Sequence, residues 1–347
     1  MYFKIIPQDI LETPPPSDAY FRQAWEFCRL WALGEQAFVL HTSGSTGVPK
    51  PISLLRTQMQ ASAQLTQQAL ELKSGYKALV CLNVAYIAGI MMLVRGMEIG
   101  MEMYVVAPSS SPLDAIPEEI NLDFGAFVPL QLQTMLAANQ KKRLNTFQTI
   151  IVGGAAVSPS LLSQIHELEV PVYSTYGMTE TVSHIALKRL NGTSASGFYE
   201  LLEGIDIGVD TRGCLKICGS VTNHEWIQTN DVVELKTPRV FGMIGRADNI
   251  INSGGLKIQL EKVEQAIGSF LEGTERYFAW WKPDERLGQK LILIFETTQE
   301  VSLDWIKTRL NALLKPYEIP KEIWTIEKFA ETPTGKVDKQ ATFAILP

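Results

Sequence analysis

The sequence predicts an α/β protein with a large N-terminal domain, built on mainly parallel sheet flanked by helices, followed by a smaller α+β domain. Three features indicate this. Short apolar segments bounded by Gly, Pro or Asn alternate with helical stretches over the first part of the chain. After about residue 190 the segments are short, strand-like and separated by turn residues. The last part mixes both kinds of element, and 347 residues suffice for two domains.

The N-terminal segment predicts an extended entry, then a helix, a strand and a second helix. The stretch "TPPPSD" (13–18) is stiff and extended because three prolines follow one another. Apolar residues spaced three and four apart predict a helix over 19–33. The stretch "AFVLHTSGSTG" reads as a strand that runs into a loop. A helix is predicted over 56–72, with Leu65, Ala69 and Leu72 on one face.

Four apolar segments then predict a parallel sheet. They are "KALVCLNV", "EMYVVAP", "FGAFVPL" and "TIIVGGAAV", and helices predicted over 129–139 and 158–168 alternate with them. The run from Leu82 to Val94 is too short to cross a bilayer, so it predicts buried structure.

The C-terminal third predicts first strands and then a small domain. "GCLKICG", "TNDVVELK" and "RVFGMIGR" are strand-like. After them come a helix "LEKVEQAIGSFL", a hairpin across 275–297, a helix "LDWIKTRLNALLKPY" and a strand "EIWTIEKF". We expect a boundary near residue 246, which gives domains of 1–246 and 247–347.

Composition excludes several classes of protein. The net charge of −6 argues against a nucleic-acid partner, because phosphate contacts need a basic surface. The opening residues have no export signal and the chain has few cysteines, so we expect a cytoplasmic protein that does not associate with membranes. Cys214 and Cys218 lack a second pair of ligands nearby and predict two small apolar residues in a sheet rather than a zinc site.

The segment "TSGSTGVPK" has the composition of a phosphate-binding loop. Its glycines let the backbone approach a ligand closely, and its hydroxyls, N–H groups and Lys50 can surround an anion. It does not fit the Walker loop, because Gly44 and Gly47 are three residues apart and Pro51 stands where Ser or Thr is needed. A solvated Ser/Gly linker is the alternative from this segment alone.

The segment resembles the phosphate loop of the adenylate-forming (acyl-CoA synthetase/AMP-binding) superfamily, and four further segments resemble that family's motifs in the same order. They are "GGAAVS" (153–158), "YSTYGMTET" (173–181), "TND" (229–231) together with "IGRADNIINSGGLKI" (244–258), and "TPTGKVDK" (332–339). The resemblance covers most of the chain. It implies an enzyme that joins an acid to ATP as an acyl-adenylate and then transfers the acyl group to a thiol.

The resemblance also implies roles for individual residues. Glu180 would hold Mg²⁺, Thr179 would contact the α-phosphate, and Lys336 would be the adenylation lysine. Asp248 would be the hinge of a mobile C-terminal domain. The residues expected to contact ATP or CoA are Thr42, Ser43, Gly44, Ser45, Thr46, Gly47, Lys50, Gly153, Gly154, Ala155, Tyr176, Gly177, Asp231, Arg246, Gly254 and Gly255.

The acid is expected to be small, because only about forty residues precede the phosphate loop, fewer than in most of the family. Among short members the pattern is most similar to the o-succinylbenzoate–CoA ligases of menaquinone biosynthesis, with "YGMTETVSHIALK" as the most suggestive stretch. That resemblance implies acid contacts from Tyr86, Ala88 and Gly89 and from Ser183 and His184. Many members have His where this chain has Tyr86. The cofactors would be ATP, Mg²⁺ and coenzyme A.

Alternatives remain open at this point. The chain could serve another small acid, could load a carrier-protein thiol instead of CoA, or could be a non-catalytic nucleotide-binding relative. A homodimer is a further expectation, since a short N-terminal part leaves apolar surface to cover.

Overall fold

The computed structural model describes residues 1–41, 51–271, 276–331 and 337–346. The strands are β1 (Phe3–Ile5), β2 (Ala37–His41), β3 (Pro51–Leu55), β4 (Lys77–Val80), β5 (Glu102–Val105), β6 (Phe124–Phe127), β7 (Thr149–Val152), β8 (Val172–Gly177), β9 (His184–Arg189), β10 (Tyr199–Leu201), β11 (Asp206–Val209), β12 (Cys214–Cys218), β13 (Ile227–Thr237), β14 (Val240–Arg246), β15 (Ile250–Ser253), β16 (Leu256–Gln259), β17 (Tyr277–Asp284), β18 (Gly288–Glu296) and β19 (Glu322–Ile326). The helices are α1 (Ala19–Ala32), α2 (Arg56–Leu70), α3 (Ile87–Ile99), α4 (Pro129–Ala137), α5 (Lys141–Leu144), α6 (Pro159–Ile165), α7 (Leu260–Gly268), α8 (Leu303–Leu310) and α9 (Lys339–Ala344).

A large mixed sheet carries the first two thirds of the chain. Its strand order is β1-β5-β4-β6-β7-β8-β9-β10-β14-β13-β12-β11. The five strands from β5 to β8 in this order are parallel, and the strands from β9 onward are antiparallel. The predicted fold class is confirmed, including the change from parallel sheet to a β-rich part.

Helices cover both faces of the parallel half. On β4, Ala78 and Val80 belong to the core that contains α1, α2 and α3, whereas Leu79 packs on the opposite face with α4 and α6. Strands buried on both faces are apolar throughout, which is why β4 to β7 were visible in the sequence as continuous apolar runs.

Most of the apolar run 82–94 lies in α3, and it is buried continuously from Gly89 to Val94, whereas Ala85 and Ala88 are exposed. The face of α2 predicted from Leu65, Ala69 and Leu72 is not the face that is buried. The buried side chains of α2 are those of Met59, Ser62, Ala63, Thr66 and Leu70, while Ala69 is exposed and Leu72 lies beyond the helix end. Two small polar residues in this buried stripe shifted the apolar pattern, because Ser62 and Thr66 face the core.

The C-terminal part forms a second, five-stranded sheet with the order β16-β15-β18-β17 and with β19 parallel to β18. Helices α7 and α8 pack on one face and α9 on the other. The helix predicted over 303–317 ends at Leu310, and a separate 3₁₀ turn covers Pro316–Glu318. Proline disfavours helical backbone at the preceding residue, which explains the break before Pro316.

The first half of the segment "YSTYGMTET" belongs to strand β8, and Thr179–Thr181 forms a 3₁₀ turn. Cys214 and Cys218 are free and lie in β12, as predicted. Among the described residues, no helix is both long enough and apolar enough to span a bilayer.

Candidate active site

A hydrogen-bond network joins the ends of β8, β13 and β14. The Tyr176 hydroxyl donates to Asp231 Oδ2 at 2.6 Å, and Arg246 Nη1 donates to Asp231 Oδ1 at 3.0 Å. The guanidinium of Arg246 also binds Asp248 through two bonds, of 2.9 and 2.7 Å. Asp231 and Arg246 face each other in the register of β13 and β14. The sheet therefore brings together four residues that the sequence predicted for the nucleotide site and hinge.

The network is held by its surroundings. Thr229 Oγ1 donates to the carbonyl of Leu215 at 2.8 Å and accepts from the Asp231 N–H at 3.0 Å, which fixes the backbone at the carboxylate. The Tyr176 ring packs edge-on against Phe241, at 5.2 Å between centroids. Burial, followed by the adjacent Asp231 carboxylate, raises the pKa of Tyr176. Tyr176 is therefore a hydrogen-bond donor at neutral pH.

The charges of Arg246 and of Asp248, the predicted hinge residue, stabilise each other. Burial acts to raise the pKa of Asp248, but the hydrogen bonds and charge of Arg246 outweigh it, so this pKa lies below its usual value. The bonds from Asp248 likewise raise the pKa of Arg246. Both groups are ionised at neutral pH, and the pair is bidentate, which is the stronger geometry for a guanidinium and a carboxylate.

A second cluster surrounds a buried arginine on α3. Arg95 is only 2% exposed, and its guanidinium donates to Thr66 Oγ1 at 3.2 Å and to Ser183 Oγ at 2.7 Å. His184 Nδ1 lies 3.5 Å from Arg95 Nη2. Among the described residues, no carboxylate forms an ion pair with Arg95. A buried cation whose partners are all neutral is costly, and it marks a position where an anion would be stabilised.

The protonation of this cluster follows from its contacts. Burial lowers the pKa of Arg95 to about 10, so the side chain is still a cation at neutral pH. Burial and then the charge of Arg95 hold the pKa of His184 well below its usual value. His184 is therefore neutral, and with Nδ1 facing the guanidinium, its proton resides on Nε2, 3.1 Å from Thr66 Oγ1. Ser62 Oγ, one turn earlier on α2, is buried and has no hydrogen-bond partner among the residues that the structure describes.

Gly177 connects the two clusters. It ends β8, directly after Tyr176, and pairs with His184 on β9. A Cβ at Gly177 would lie 2.2 Å from the carbonyl oxygen of Ser183 and 2.5 Å from the Cα of His184. Only glycine allows this approach. Because Gly177 follows Tyr176 and pairs with His184, the network around Tyr176 and the Arg95 cluster are adjacent on neighbouring strands.

The other residues predicted for the acid lie at the start of the arginine's helix. Tyr86 is the residue before α3, Ala88 is exposed in its first turn, and Gly89 is buried. A Cβ at Gly89 would meet the carbonyl oxygen of Asn83 at 2.4 Å. Helix α3 thus links the predicted acid residues to Arg95 two turns later.

The glycine-rich turn also reaches β8. Gly153 follows β7, and a Cβ there would lie 2.1 Å from Thr175 Oγ1, so the Gly153 backbone is in close contact with the Thr175 side chain. Gly154 has a φ of +83°, a conformation that favours glycine, and Ala155 is exposed beside it. The turn predicted to lie against the adenine therefore adjoins the strand that carries Tyr176.

Thr179 and Glu180 lie in the 3₁₀ turn after β8, and Glu180 is exposed. No group of three or more His, Cys, Asp or Glu side chains suited to a metal occurs within the described ranges. A single accessible carboxylate still fits Mg²⁺, which usually keeps several waters and shares one or two carboxylates with substrate phosphates.

Some predicted residues fall elsewhere. Residues 42–50, and with them the whole predicted phosphate loop, lie outside the described residues, as does Lys336. Gly254 and Gly255 form the exposed turn between β15 and β16, with φ values of +61° and +82°. This turn is not part of either cluster.

Comparison with known proteins decides the family. The model of the family described as "AMP-binding enzyme" matches residues 17–199, more than half of the chain. The chain belongs to the AMP-binding enzyme family. It is an adenylate-forming ligase of that family, and the resemblance seen in the sequence is confirmed.

Relatives of this AMP-binding enzyme include chains of similar and of greater length. A solved acyl-CoA synthetase (AMP-forming)/AMP-acid ligase II-like protein from Dyadobacter fermentans is 47% identical, covers 99% of both chains and has a TM-score of 0.70. A 2-succinylbenzoate–CoA ligase from Listeria monocytogenes is 25% identical over 89% of this chain and 70% of its own length. The O-succinylbenzoate coenzyme A synthetase from Bacillus subtilis, solved with ATP and magnesium ion, shares the fold at 20% identity, with a TM-score of 0.73 over 88% of this chain and 69% of its own.

Sequence reasoning did not single out Arg95 and Thr66, which the structure places beside Ser183 and His184. A signal for Arg95 exists: it follows an unbroken apolar run in the helix "IAGIMMLVRGMEI", where an arginine needs a specific reason to be buried. Thr66 gives no such signal, because its neighbour His184 is 118 residues away in the chain.

Proposed function

We propose that this AMP-binding enzyme is an AMP-forming acid–CoA ligase whose acid is o-succinylbenzoate. A carboxylate oxygen of the acid attacks the α-phosphorus of ATP, pyrophosphate leaves, and an acyl-adenylate forms. The sulfur of CoA then attacks the acyl carbon, its proton is lost, and AMP leaves with the pair of electrons from the carbon–oxygen bond. A free carboxylate is a poor acyl donor, and the bond to the phosphate of AMP makes its acyl group reactive.

The network of Tyr176, Asp231 and Arg246 supports the nucleotide assignment. The vicinal hydroxyls of ribose are hydrogen-bond donors. Asp231 offers them two carboxylate oxygens, and its bonds to Tyr176 and Arg246 hold those oxygens in place. Arg246 supplies a cation next to them. We assign Thr179 to the α-phosphate and Gly153, Gly154 and Ala155 to the adenine edge, with Tyr176 stacking on the base and Gly177 beside it. The predicted contributions of residues 42–50 and Lys336 stay predictions.

Glu180 is the residue we assign to Mg²⁺. Its exposed position at the end of β8 fits an ion that also binds phosphate oxygens and water. When bound, the ion would neutralise charge on those oxygens. The chain's own part is to hold the carboxylate on a short 3₁₀ turn next to Thr179.

The observation that carries the choice of acid is the buried Arg95. An acid with one carboxylate uses it for adenylation and leaves the guanidinium without an anion. An acid with two carboxylates offers the second to Arg95, and the Ser183 hydroxyl, whose oxygen accepts from Arg95, has its own proton to donate to that carboxylate. The neutral His184 adds no competing charge. o-Succinylbenzoate has two carboxylates on an aromatic frame, and relatives such as the Listeria ligase carry that substrate's name.

The second half-reaction needs a rearrangement. We propose that residues 247–347 form a mobile domain that rotates about Asp248 after adenylation and brings the Gly254–Gly255 turn to the acyl carbon. The turn is exposed in the described conformation, which is consistent with a role only after such a movement. Hinges of this kind change φ and ψ at one or two residues.

The test is acid-dependent release of pyrophosphate from MgATP, measured with o-succinylbenzoate, benzoate, acetate and medium-chain acids, with and without CoA. We expect release with o-succinylbenzoate and a CoA thioester as product. Release with a different acid keeps the ligase chemistry and rejects this substrate. Adenylation without transfer to CoA favours a carrier-protein thiol, and ATP binding without release under any condition favours a non-catalytic protein.

The variant Arg95→Met tests the role of the arginine in the same assay. We expect kcat/KM for o-succinylbenzoate to fall about 10- to 100-fold, the range of one charge-assisted hydrogen-bonded contact. Arg95→Lys keeps the charge and should lose less. An acid with a single carboxylate is the control substrate, and an equal loss with it would contradict the assignment. Thermal unfolding of each variant checks that the core is intact.

A further inference from the structure

Two side chains, one from β16 and one from the hinge segment, converge on the carboxylate of Glu261 in α7. Asn249 Nδ2 donates to Glu261 Oε1, and Gln259 Nε2 donates to Glu261 Oε2. The same Gln259 amide donates to the backbone carbonyl of Arg246 at 3.1 Å. We call Gln259, Glu261 and Asn249 the hinge clasp.

The clasp spans the hinge in both directions. Asp248 lies between Arg246, whose carbonyl the clasp holds, and Asn249, whose side chain it holds. The strand end before the hinge is in direct contact as well, because a Cβ at Gly245 would lie 2.2 Å from Gln259 Nε2 and 2.8 Å from Glu261 Oε2. The bond from Gln259 to Arg246 joins the five-stranded sheet to the large sheet, so a rotation at Asp248 strains or breaks it.

The clasp belongs to one conformation. In the described structure the Gly254–Gly255 turn is exposed and is not part of either cluster. A rotation that brings the Gly254–Gly255 turn to the acyl carbon changes the backbone between Arg246 and Asn249. The Glu261 carboxylate is linked to Asn249 directly and to Arg246 through Gln259, and the rotation breaks one of these links. Contacts present in one state and absent in the other set the balance between them.

We propose that Glu261, through Gln259, is a positioning residue that stabilises the conformation in which the Gly254–Gly255 turn is away from the site, and so retards thioester formation relative to adenylation. This inference rests on the proposed two-step function. It assigns to Glu261 no contact with substrate.

The experiment measures the two half-reactions separately. Acid-dependent ATP–pyrophosphate exchange reports adenylation, and rapid quench of enzyme-bound acyl-adenylate with CoA reports thioester formation. We expect Glu261→Ala to raise the ratio of the second rate to the first by about three- to tenfold, the effect of one net hydrogen bond. Gln265→Ala, an exposed position on the same helix, is the matched control and should leave the ratio unchanged.

Two further variants separate positioning from general damage. Gln259→Met removes the donor to the Arg246 carbonyl and should change the ratio as Glu261→Ala does. The exchange variant Gln259→Glu/Glu261→Gln keeps an amide–carboxylate bond between the two positions but cannot donate to that carbonyl. We expect it to behave like Gln259→Met, because the bond across the hinge is the one that matters.

The outcomes are distinguishable. A wild-type protein that performs both half-reactions, with the same ratio in Glu261→Ala and Gln259→Met, overturns the inference and leaves the proposed function intact. A rescue of the wild-type ratio by the exchange variant also overturns it. A wild-type protein that performs neither half-reaction with any acid of the panel overturns the proposed function and this inference together. Equal slowing of both steps would indicate a structural role only.

Discussion

Individual residues in this protein carry constraints that come from the path of neighbouring strands. Gly177 is the clearest case, because backbone atoms of Ser183 and His184 occupy the space that a side chain would need. Arg95 is another, since its burial beside Thr66 and Ser183 places a cation where the core offers no counter-charge among the described residues. Both constraints act at the junction of the nucleotide network and the proposed acid site.

We expect Gly177→Ala to lower the free energy of unfolding by about 2–3 kcal/mol, because the backbone of β9 must move to admit the methyl group. Urea unfolding followed by circular dichroism measures this. Gly197→Ala is the control, since no heavy atom lies within 4 Å of its added Cβ, and it should change stability by no more than about 0.5 kcal/mol. Similar losses in the two variants would show that the close approach at Gly177 is not rigid.

The buried His184 predicts a dependence of stability on pH. Its pKa in the folded protein lies well below the value of about 6.5 expected when the chain is unfolded. Only the unfolded state gains a proton as the pH falls below about 6.5, so this contribution to stability is complete above that pH and is lost towards acid. We expect a slope of up to about 1.4 kcal/mol per pH unit from this residue below pH 6.5.

The measurement is the free energy of unfolding in urea between pH 5 and 7.5 for the wild type and for His184→Gln, which removes the titrating group. The variant should show the smaller loss on acidification. His166, which is exposed, serves as the matched control through His166→Gln. A wild-type slope that survives in His184→Gln would mean that other groups cause it.

At the scale of elements, the β15–β16 hairpin has a turn of two residues, Gly254 and Gly255, both with positive φ. These values are those of a type I′ turn, which matches the twist of the flanking strands. The geometry explains the paired glycines independently of any contact with substrate. It also means that the turn is rigid enough to be carried as a unit by the sheet behind it.

We expect Gly254→Asn to keep the turn, because asparagine accepts this position of a type I′ turn. Gly255→Val should lower the free energy of unfolding by about 1–2 kcal/mol, because a β-branched residue is strained at a φ of +82°. Thermal unfolding measures stability, and rapid quench with CoA measures thioester formation, which Gly255→Val should slow more than adenylation. Equal tolerance of both substitutions would argue against a fixed turn.

At the scale of the whole molecule, the two larger sheets of the described residues meet at a short 3₁₀ turn, Ala247–Asn249. The first sheet carries Tyr176, Asp231 and His184 of the arginine cluster, and the second carries the glycine turn. The contacts across the junction include polar ones, among them the Arg246–Asp248 ion pair and the bond from Gln259 to the Arg246 carbonyl. Polar contacts of this kind suit a junction with two relative positions better than a large apolar interface would.

We expect Asp248→Pro to impair thioester formation by at least tenfold more than adenylation, because proline fixes φ at the position that must rotate. Pyrophosphate exchange and rapid quench with CoA measure the two steps. Asp248→Ala removes the ion pair with Arg246 but leaves the backbone free, so it is the control for loss of charge. If both variants slow the two steps to the same extent, the hinge assignment is wrong.

The sequence by itself determined the family, the fold class and most elements. Its motifs are contiguous stretches such as 42–50 and 244–258, and apolar periodicity is a local property, so neither depends on knowing which strands are neighbours. The tertiary structure alone decided that Thr66, Arg95 and His184 meet, and that the buried face of α2 runs through Ser62 and Thr66. It also decided that Gln259 and Glu261 reach back to the hinge. These contacts arise from strand order and helix docking, which bring distant parts of the chain together, and a polar side chain reveals that it is buried only when its partner is in place.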